Sequence, residues 1–462
     1  MLTDPDPNLP EPEDDRELDQ ARLRAIQDAL AHEQGAAIDH LLEPLHEADI
    51  ADLLEQLGDV ERRTLLRLWS GQIDGEILSE LDEAIREEVI EELPPDEVAE
   101  AVRGLNTDDI VDVIENLDDE TRADAILEAL DDIDRIAVEQ ALGFPEYSAG
   151  RLMQREVVTA PSHWTVGQAI DHLRGASDLP EQFYHVILVD PRIRPVGYVT
   201  LGKILSSARD VALSEIEEES FRTFEVTDPE DEVAYAFNQY HLISAPVVDA
   251  NDRLLGVITI DDAVRILDEE AEEDILRLAG VDAEEAISNR TRDVVRRRFP
   301  WLAVNLVTAV LASLVIAQFE GVIAQVVALA VLMPIVASMG GNAGTQSLTV
   351  AVRALATRDL TGANVWRVIR REVFAGAING AIFAVVMGIV GVVWFGSPML
   401  GVVIAVAMVI NLIVAGFAGV GIPVVLEKAK IDPALASGAF VTTVTDVVGF
   451  FAFLGLAAIW LI

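Results

Sequence analysis

The stretch FVTTVTDVVGFFAFLGLAAIWLI, from Phe440 to Ile462, holds one charged residue, Asp446, among apolar and small side chains. It is long enough to cross a bilayer as a helix. A carboxylate at mid-membrane costs about 2.5–3.5 kcal/mol even on the gentlest insertion scale. At a rise of about 1.5 Å per residue, Asp446 lies roughly 18 Å along the helix from Ala434, close to the midplane. No basic residue inside a span is available to pair with it, so a buried salt bridge is excluded. Two readings remain: a protonated structural acid, or an acid facing a wet passage.

Working outward, spanning-length apolar stretches occur at about Trp301–Phe319, Val322–Met339, Val373–Phe395, Met399–Leu426 and Ala434–Ile462. Residues 299–462 therefore read as a polytopic α-helical membrane domain with five spans. Arg292, Arg296, Arg297 and Arg298 precede the first span. Arg353, Arg358, Arg367, Arg370 and Arg371 lie between the second and third, and Lys428 and Lys430 between the fourth and fifth. All fall on the side of the N-terminal domains, which the positive-inside rule places in the cytoplasm, with the C-terminus outside the cell (inner or plasma) membrane.

The second span ends in MPIVASMGGNAGTQS, Met333 to Ser347. Pro334 and the Gly340-Gly341 pair are expected to break its helix, and broken backbone at membrane depth is tolerated only inside protein or beside water. The competing reading of these glycines is close helix packing. On the first reading Asn342 joins Asp446 as a pore ion-binding residue, with Gly340, Gly341, Gln346, Thr442 and Thr445 as pore-lining candidates. Asn379, in the third span, reads as helix-packing glue. One carboxylate per chain suits a hydrated hard cation, because Mg²⁺ keeps most of its waters whereas Ca²⁺ wants about six to eight oxygens. Zinc or copper would want His or Cys. No His lies in a span, and there is no Cys. A two-fold homodimer would bring two Asp446 carboxylates to one axis.

The soluble part carries most of the 79 acidic residues, and the net charge is -46. That charge argues against nucleic acid and for cationic partners, divalent metal first. A competing cause is a high-salt habitat, since Lys203, Lys428 and Lys430 are the only lysines. Residues 1–17 read as a disordered acidic tail without signal-peptide character. Residues 18–143 read as an all-α helical-repeat domain: Leu45, Leu57 and Trp69 are evenly spaced, as are Leu93, Leu105 and Leu117, with helix-start signals PPDE, NTDD and DDET. Two α/β repeats follow, at 144–208 and 209–268, in which Asp190, Gly197 and Thr200 are matched by Asp249, Gly256 and Thr259. Residues 264–298 are a connecting helix and linker, helical from Val264 to about Asn289, with a dense acidic band from Asp268 to Asp274. Like charges so close need salt or bound cations to relieve them. No spaced Ser/His/Asp set, phosphate loop or His cluster appears, so an enzyme is not expected.

The two α/β repeats resemble a tandem pair of CBS domains, which implies an adenine nucleotide such as ATP in the cleft, held at Thr259 and Asp262; the first repeat has Lys203 at the matching position. Over nearly its whole length the chain resembles the MgtE family of magnesium channels, most specifically in GGNAGTQS, in RALATRDL (Arg353 to Leu360) and in DPALASGAFVTTVTDVVG (Asp432 to Gly449). The resemblance implies a homodimer in the lipid bilayer whose Asp446 holds hydrated Mg²⁺ at the pore axis. It also implies cytosolic Mg²⁺ sensor sites at Glu76, Asp108, Asp112, Asp262, Glu270, Glu273, Asp274 and Asp432. The chain departs from the family pattern at Arg265, where an acid can stand, and at Gly438, where an Asn can. The expected function is Mg²⁺ uptake by a channel that cytosolic Mg²⁺ closes by binding the closed arrangement better. The rival expectations are an ion-coupled carrier for Mg²⁺, Co²⁺ or Mn²⁺, and a non-conducting nucleotide-sensing receptor.

Overall fold

The computed structural model describes residues 18–462 except 19, 116, 118–119, 177–178, 181, 219–220 and 282–290; of residues 95, 96, 120, 293 and 435–437 it describes the backbone only. The expected acidic tail, the DD of the third start signal and the far end of the expected connecting helix, 282–289, lie outside these residues. The chain divides into two compact units, Met1–Glu269 and Glu270–Ile462.

The first unit opens with ten short helices: α1 Gln20–Ala31, α2 Gly35–Leu42, α3 Glu47–Gln56, α4 Asp59–Leu68, α5 Gly75–Glu80, α6 Glu83–Glu92, α7 Pro95–Val102, α8 Thr107–Glu115, α9 Glu120–Ala129 and α10 Asp132–Leu142. The even leucine spacing has a plain cause. Leu57, Leu81 and Leu93 each stop a helix in extended backbone while burying the side chain in the shared core. Buried arginines then stitch one helix end to the next. Arg62 donates to the carbonyls of Leu54 and Leu57 at 2.9 and 2.8 Å and pairs with Glu88. Arg86 repeats this on the Leu81 carbonyl at 2.9 Å and pairs with Asp112 at 2.7 Å. These bonds satisfy the carbonyls that a helix C-terminus leaves open.

The α/β half contains α11 Ala149–Leu152, β1 Thr159–Pro161, α12 Val166–Gly175, β2 His185–Val189, β3 Pro195–Thr200 and α13 Leu201–Ser206. Its second repeat has β4 Phe224–Glu225, α14 Glu230–Tyr240, β5 Ser244–Val248, β6 Leu254–Thr259 and α15 Ile260–Leu278. Two three-stranded sheets, β1-β2-β3 and β4-β5-β6, each have one parallel and one antiparallel pair. The register is the same twice, Leu188 opposite Gly197 and Val247 opposite Gly256, with a bulge one residue later. Asp190 and Asp249 close the two turns by accepting backbone N–H groups two and four residues on. The second strand of each repeat begins two residues before its Gly. Gly256 is needed because a Cβ there would collide with the Gln154 carbonyl, which pairs with Val257 across a bridge.

The connecting helix is shorter than expected. α15 ends at Leu278, where Gly280 adopts a positive φ of 74°, the Gly280 N–H bonds the Arg277 carbonyl and the Val281 N–H bonds the Leu276 carbonyl. This is a Schellman cap, and it ends α15.

The second unit contains α16 Thr291–Ala317, the short α17 Glu320–Gln325, α18 Ala328–Ala356, α19 Val365–Phe395, α20 Pro398–Lys428 and α21 Pro433–Trp460. Five of these helices are long and apolar enough to cross a membrane. α20 is the hub, packing on α18, α19 and α21. The second span is displaced from its expected place: the Val322 region belongs to the separate α17, and α18 continues to Ala356. The expected break is also absent, since α18 runs unbroken through Pro334 and Gly340-Gly341. The glycines serve packing instead. A Cβ on Gly340 would overlap the Asn411 amide, one on Gly344 would meet Val441 at 2.6 Å, and one on Gly419 would meet the Gly344 carbonyl at 2.7 Å.

Candidate functional site

Three sets of the expected residues can be placed. In the membrane unit, α18 and α21 run side by side where Gly341 faces Thr442. Ser338, Asn342 and Gln346 recur every four residues along α18, and all three are exposed on the protomer. On α21, Thr442 is exposed and Asp446 half-buried. Asp446 makes no ion pair or hydrogen bond among the described residues. Asn342 reaches only Ser338, at 3.5 Å. Side chains of this kind on the outside of a spanning helix are costly against lipid, so they call for water or a partner.

Two residues fall elsewhere than expected. Thr445 is fully buried, with its hydroxyl bonded back to the carbonyls of Val441 and Thr442, so it packs α21 rather than lining a passage. Asn379 is exposed and is not the packing amide. That role belongs to Asn411, fully buried on α20, whose Nδ2 donates to the Val336 carbonyl at 2.8 Å. Gly340 and Gly449 both press on it. Sequence reading passed over Asn411, although a lone amide in an otherwise apolar span was the signal. It also passed over Glu372, which accepts the Ser347 hydroxyl at 3.0 Å.

In the first unit, Asp108, Asp112 and Asp262 come together. The N-terminus of α8 is capped from outside its own domain, as the Thr107 N–H and hydroxyl donate to Glu156 at 3.4 and 2.8 Å. Asp108, one residue on, is buried, and its Oδ1 has no hydrogen-bond partner. Burial, and then Asp262, Asp109 and Glu156, push its carboxyl well up. Asp109 is raised to about 7, by burial first and then by Asp262. Asp262, 6% exposed, accepts the Thr259 hydroxyl at 3.0 Å. Arg265 lies 3.6 Å from Asp262, 3.8 Å from Asp112 and 3.5 Å from Glu269. Both expected nucleotide-binding residues are thus hydrogen-bonded to each other, with the carboxylate facing a guanidinium.

In the second unit, Glu273, Asp274 and Asp432 meet around Arg277, which lies 2.6 Å from Glu273 and 2.9 Å from Asp432. Asp432 also caps α21, accepting the Ala434 N–H at 2.8 Å. Burial and then Asp432 raise the Asp274 carboxyl. Glu76 sits exposed in the first turn of α5, and Glu270 exposed on α15. Among the described residues no three acidic or histidine side chains are arranged to hold a metal ion; at two of the acidic groups an arginine supplies the positive charge.

Comparison with known proteins agrees with this layout. Residues 333–456 match the family model described as MgtE, divalent cation transporter; residues 45–147 match the MgtE intracellular N domain, and 149–210 and 213–269 match the CBS domain. The magnesium transporter MgtE of Thermus thermophilus is 33% identical over 442 residues, 95% of this chain and 98% of that protein. The one from Enterococcus faecalis is 34% identical over 324 residues, 70% of this chain and 71% of the relative. A solved cytosolic domain of the Mg²⁺ channel MgtE in complex with ATP is 27% identical and covers 53% of this chain and 99% of its own, with a TM-score of 0.49. With its helical N domain, CBS pair and five apolar helices, the chain belongs to the MgtE family of divalent cation transporters, whose curated relatives are magnesium transporters.

Proposed function

We propose that the protein is a homodimeric Mg²⁺ channel that admits magnesium to the cell, with its N-terminal domains in the cytoplasm and its C-terminus outside. The observation that carries this reading is Asp446: a half-buried carboxylate, unpaired among the described residues, on a spanning helix packed against α18, whose Ser338, Asn342 and Gln346 are exposed. Covering that stripe with a second copy would turn an expensive lipid-facing surface into a wet passage. One carboxylate from each protomer suits an ion that sheds few of its waters. Gly341 and Thr442 would flank it.

Cytosolic Mg²⁺ would close the channel by acting on the acidic groups around Asp108, Asp112 and Asp262 and around Glu273, Asp274 and Asp432, with Glu76 and Glu270 as further acids. The leftover Oδ1 of buried Asp108 is the atom that best fits an added cation. An adenine nucleotide would modulate the same end of the molecule through Thr259. The test is Mg²⁺ flux into liposomes by the full chain and by Asp446→Asn. Uptake by the wild type alone supports the reading; equal uptake by both sinks it. Unitary currents distinguish a channel from a coupled carrier.

A further inference from the structure

Arg265 occupies an unusual position for a cation in so acidic a chain. It lies in the second turn of α15 and reaches three carboxylates from two domains: Asp112 of the helical N domain at 3.8 Å, and Asp262 and Glu269 of its own helix at 3.6 and 3.5 Å. Its side chain is 38% exposed, so it is neither buried in a core nor free in solvent. The far oxygen of Asp112 is held independently by Arg86 at 2.7 Å. Remove Arg265, and Asp112, Asp262 and Glu269 face one another with Asp108 and Asp109 alongside, five carboxyl groups on two domains with no cation among them. Repulsion of that kind separates surfaces unless a cation intervenes.

We propose that Arg265 is a tethered counter-ion that holds the helical N domain against the second CBS repeat without bound metal, and thereby sets how much Mg²⁺ this acidic group needs before it closes. The second half rests on the Mg²⁺-sensing reading above; the first does not. Arg265 stands between the carboxylates that the metal would otherwise have to bridge. The metal is then left to act on the remaining charge, at Asp108. Contacts of 3.5–3.8 Å are long for hydrogen bonds and act through charge, so a lysine should serve where a neutral side chain would not.

The chain has no cysteine, so single cysteines can be introduced as unique labels. Val60 on α4 and Leu205 on α13 are 78% and 76% exposed and report the spacing of the N domain and the CBS pair. Pulsed dipolar spectroscopy on the full chain carrying V60C and L205C in nanodiscs, first in EDTA and then through a Mg²⁺ titration, reads the fraction with the two domains together. The wild type should keep a large close population in EDTA. Arg265→Gln should lose it and need about tenfold more Mg²⁺ to recover it, the scale of one partly desolvated charge pair, while Arg265→Lys stays near wild type. A glutamine variant with the wild-type distribution and midpoint overturns the proposal, as does a lysine variant that behaves like glutamine, or a wild type with no close population in EDTA. Unchanged thermal unfolding of Arg265→Gln separates loss of pairing from loss of fold. If Mg²⁺ moves no distribution while the glutamine variant still differs in EDTA, the sensing reading fails and the counter-ion stands.

Discussion

In the unit ending at Glu269, carboxylates meet guanidiniums: Glu88 has Arg62, Asp112 has Arg86 and Arg265, and Glu115 has Arg151 at 2.6 Å. In the unit beginning at Glu270, the one acid inside the fifth span has no such partner among the described residues. The difference is one of purpose and not of composition. An arginine beside an acid fixes a shape and removes the need for another cation. An acid left alone at membrane depth is a standing cost that water, a cation or a partner must lower. The chain spends its scarce positive charge on architecture and leaves the one acid of the fifth span without it.

The comparison breaks most visibly at Asp446. Asp446→Ala should cut Mg²⁺ uptake by about a hundredfold or more, with dimer and thermal unfolding unchanged; liposome flux with chromatography of the same sample checks both. Near-normal uptake would make the unpaired acid a packing detail. On the paired side, Arg62→Met strips two helix-end carbonyls and leaves Glu88 only its long contact with Arg63 at 4.0 Å. Removing one partner of a buried pair costs about 3–5 kcal/mol, so the N domain should melt well before the wild type by circular dichroism. A smaller effect is expected where α18 crosses α20. Gly340→Val forces a side chain into Asn411 and should cost about 1–3 kcal/mol, read as a lower unfolding temperature in detergent. Asn411→Leu, which gives up one interhelical hydrogen bond, should cost only about 0.6–1.7 kcal/mol. If it costs more than Gly340→Val, the amide and not the close approach holds the crossing.

Much of the architecture was legible because it is written in local periodicity. Twelve-residue leucine spacing, two copies of an Asp–Gly–Thr pattern and five apolar runs each report on residues near in sequence. Most of what failed depended on partners far along the chain. Gly340-Gly341 suits a helix break as well as a tight crossing, and only Asn411, on another helix, decides between them. Asn379 and Asn411 look alike as letters, yet one is exposed and one fully buried. The end of α15 at Leu278 turned on a single glycine amid good helix formers. Asp446 could be singled out from its own span alone, because isolation in an apolar run is itself local information. Arg265 was visible as a departure, but its reach to Asp112 was not, since nothing near either residue announces the other.

The crossing of α18 with α20 and α21 has a mechanical consequence. Gly340 against Asn411, Gly344 against Val441 and Gly419 against Gly344 act as interlocking teeth with no slack between them. Spinning α18 about its long axis, or sliding it by one turn, would drive atoms into one another, so α18, α20 and α21 pack as one stiff group. On the dimeric-channel reading proposed above, widening or narrowing of the conduit would come from whole protomers rocking against each other, a hinge-and-shear motion and not a twist of the lining helices.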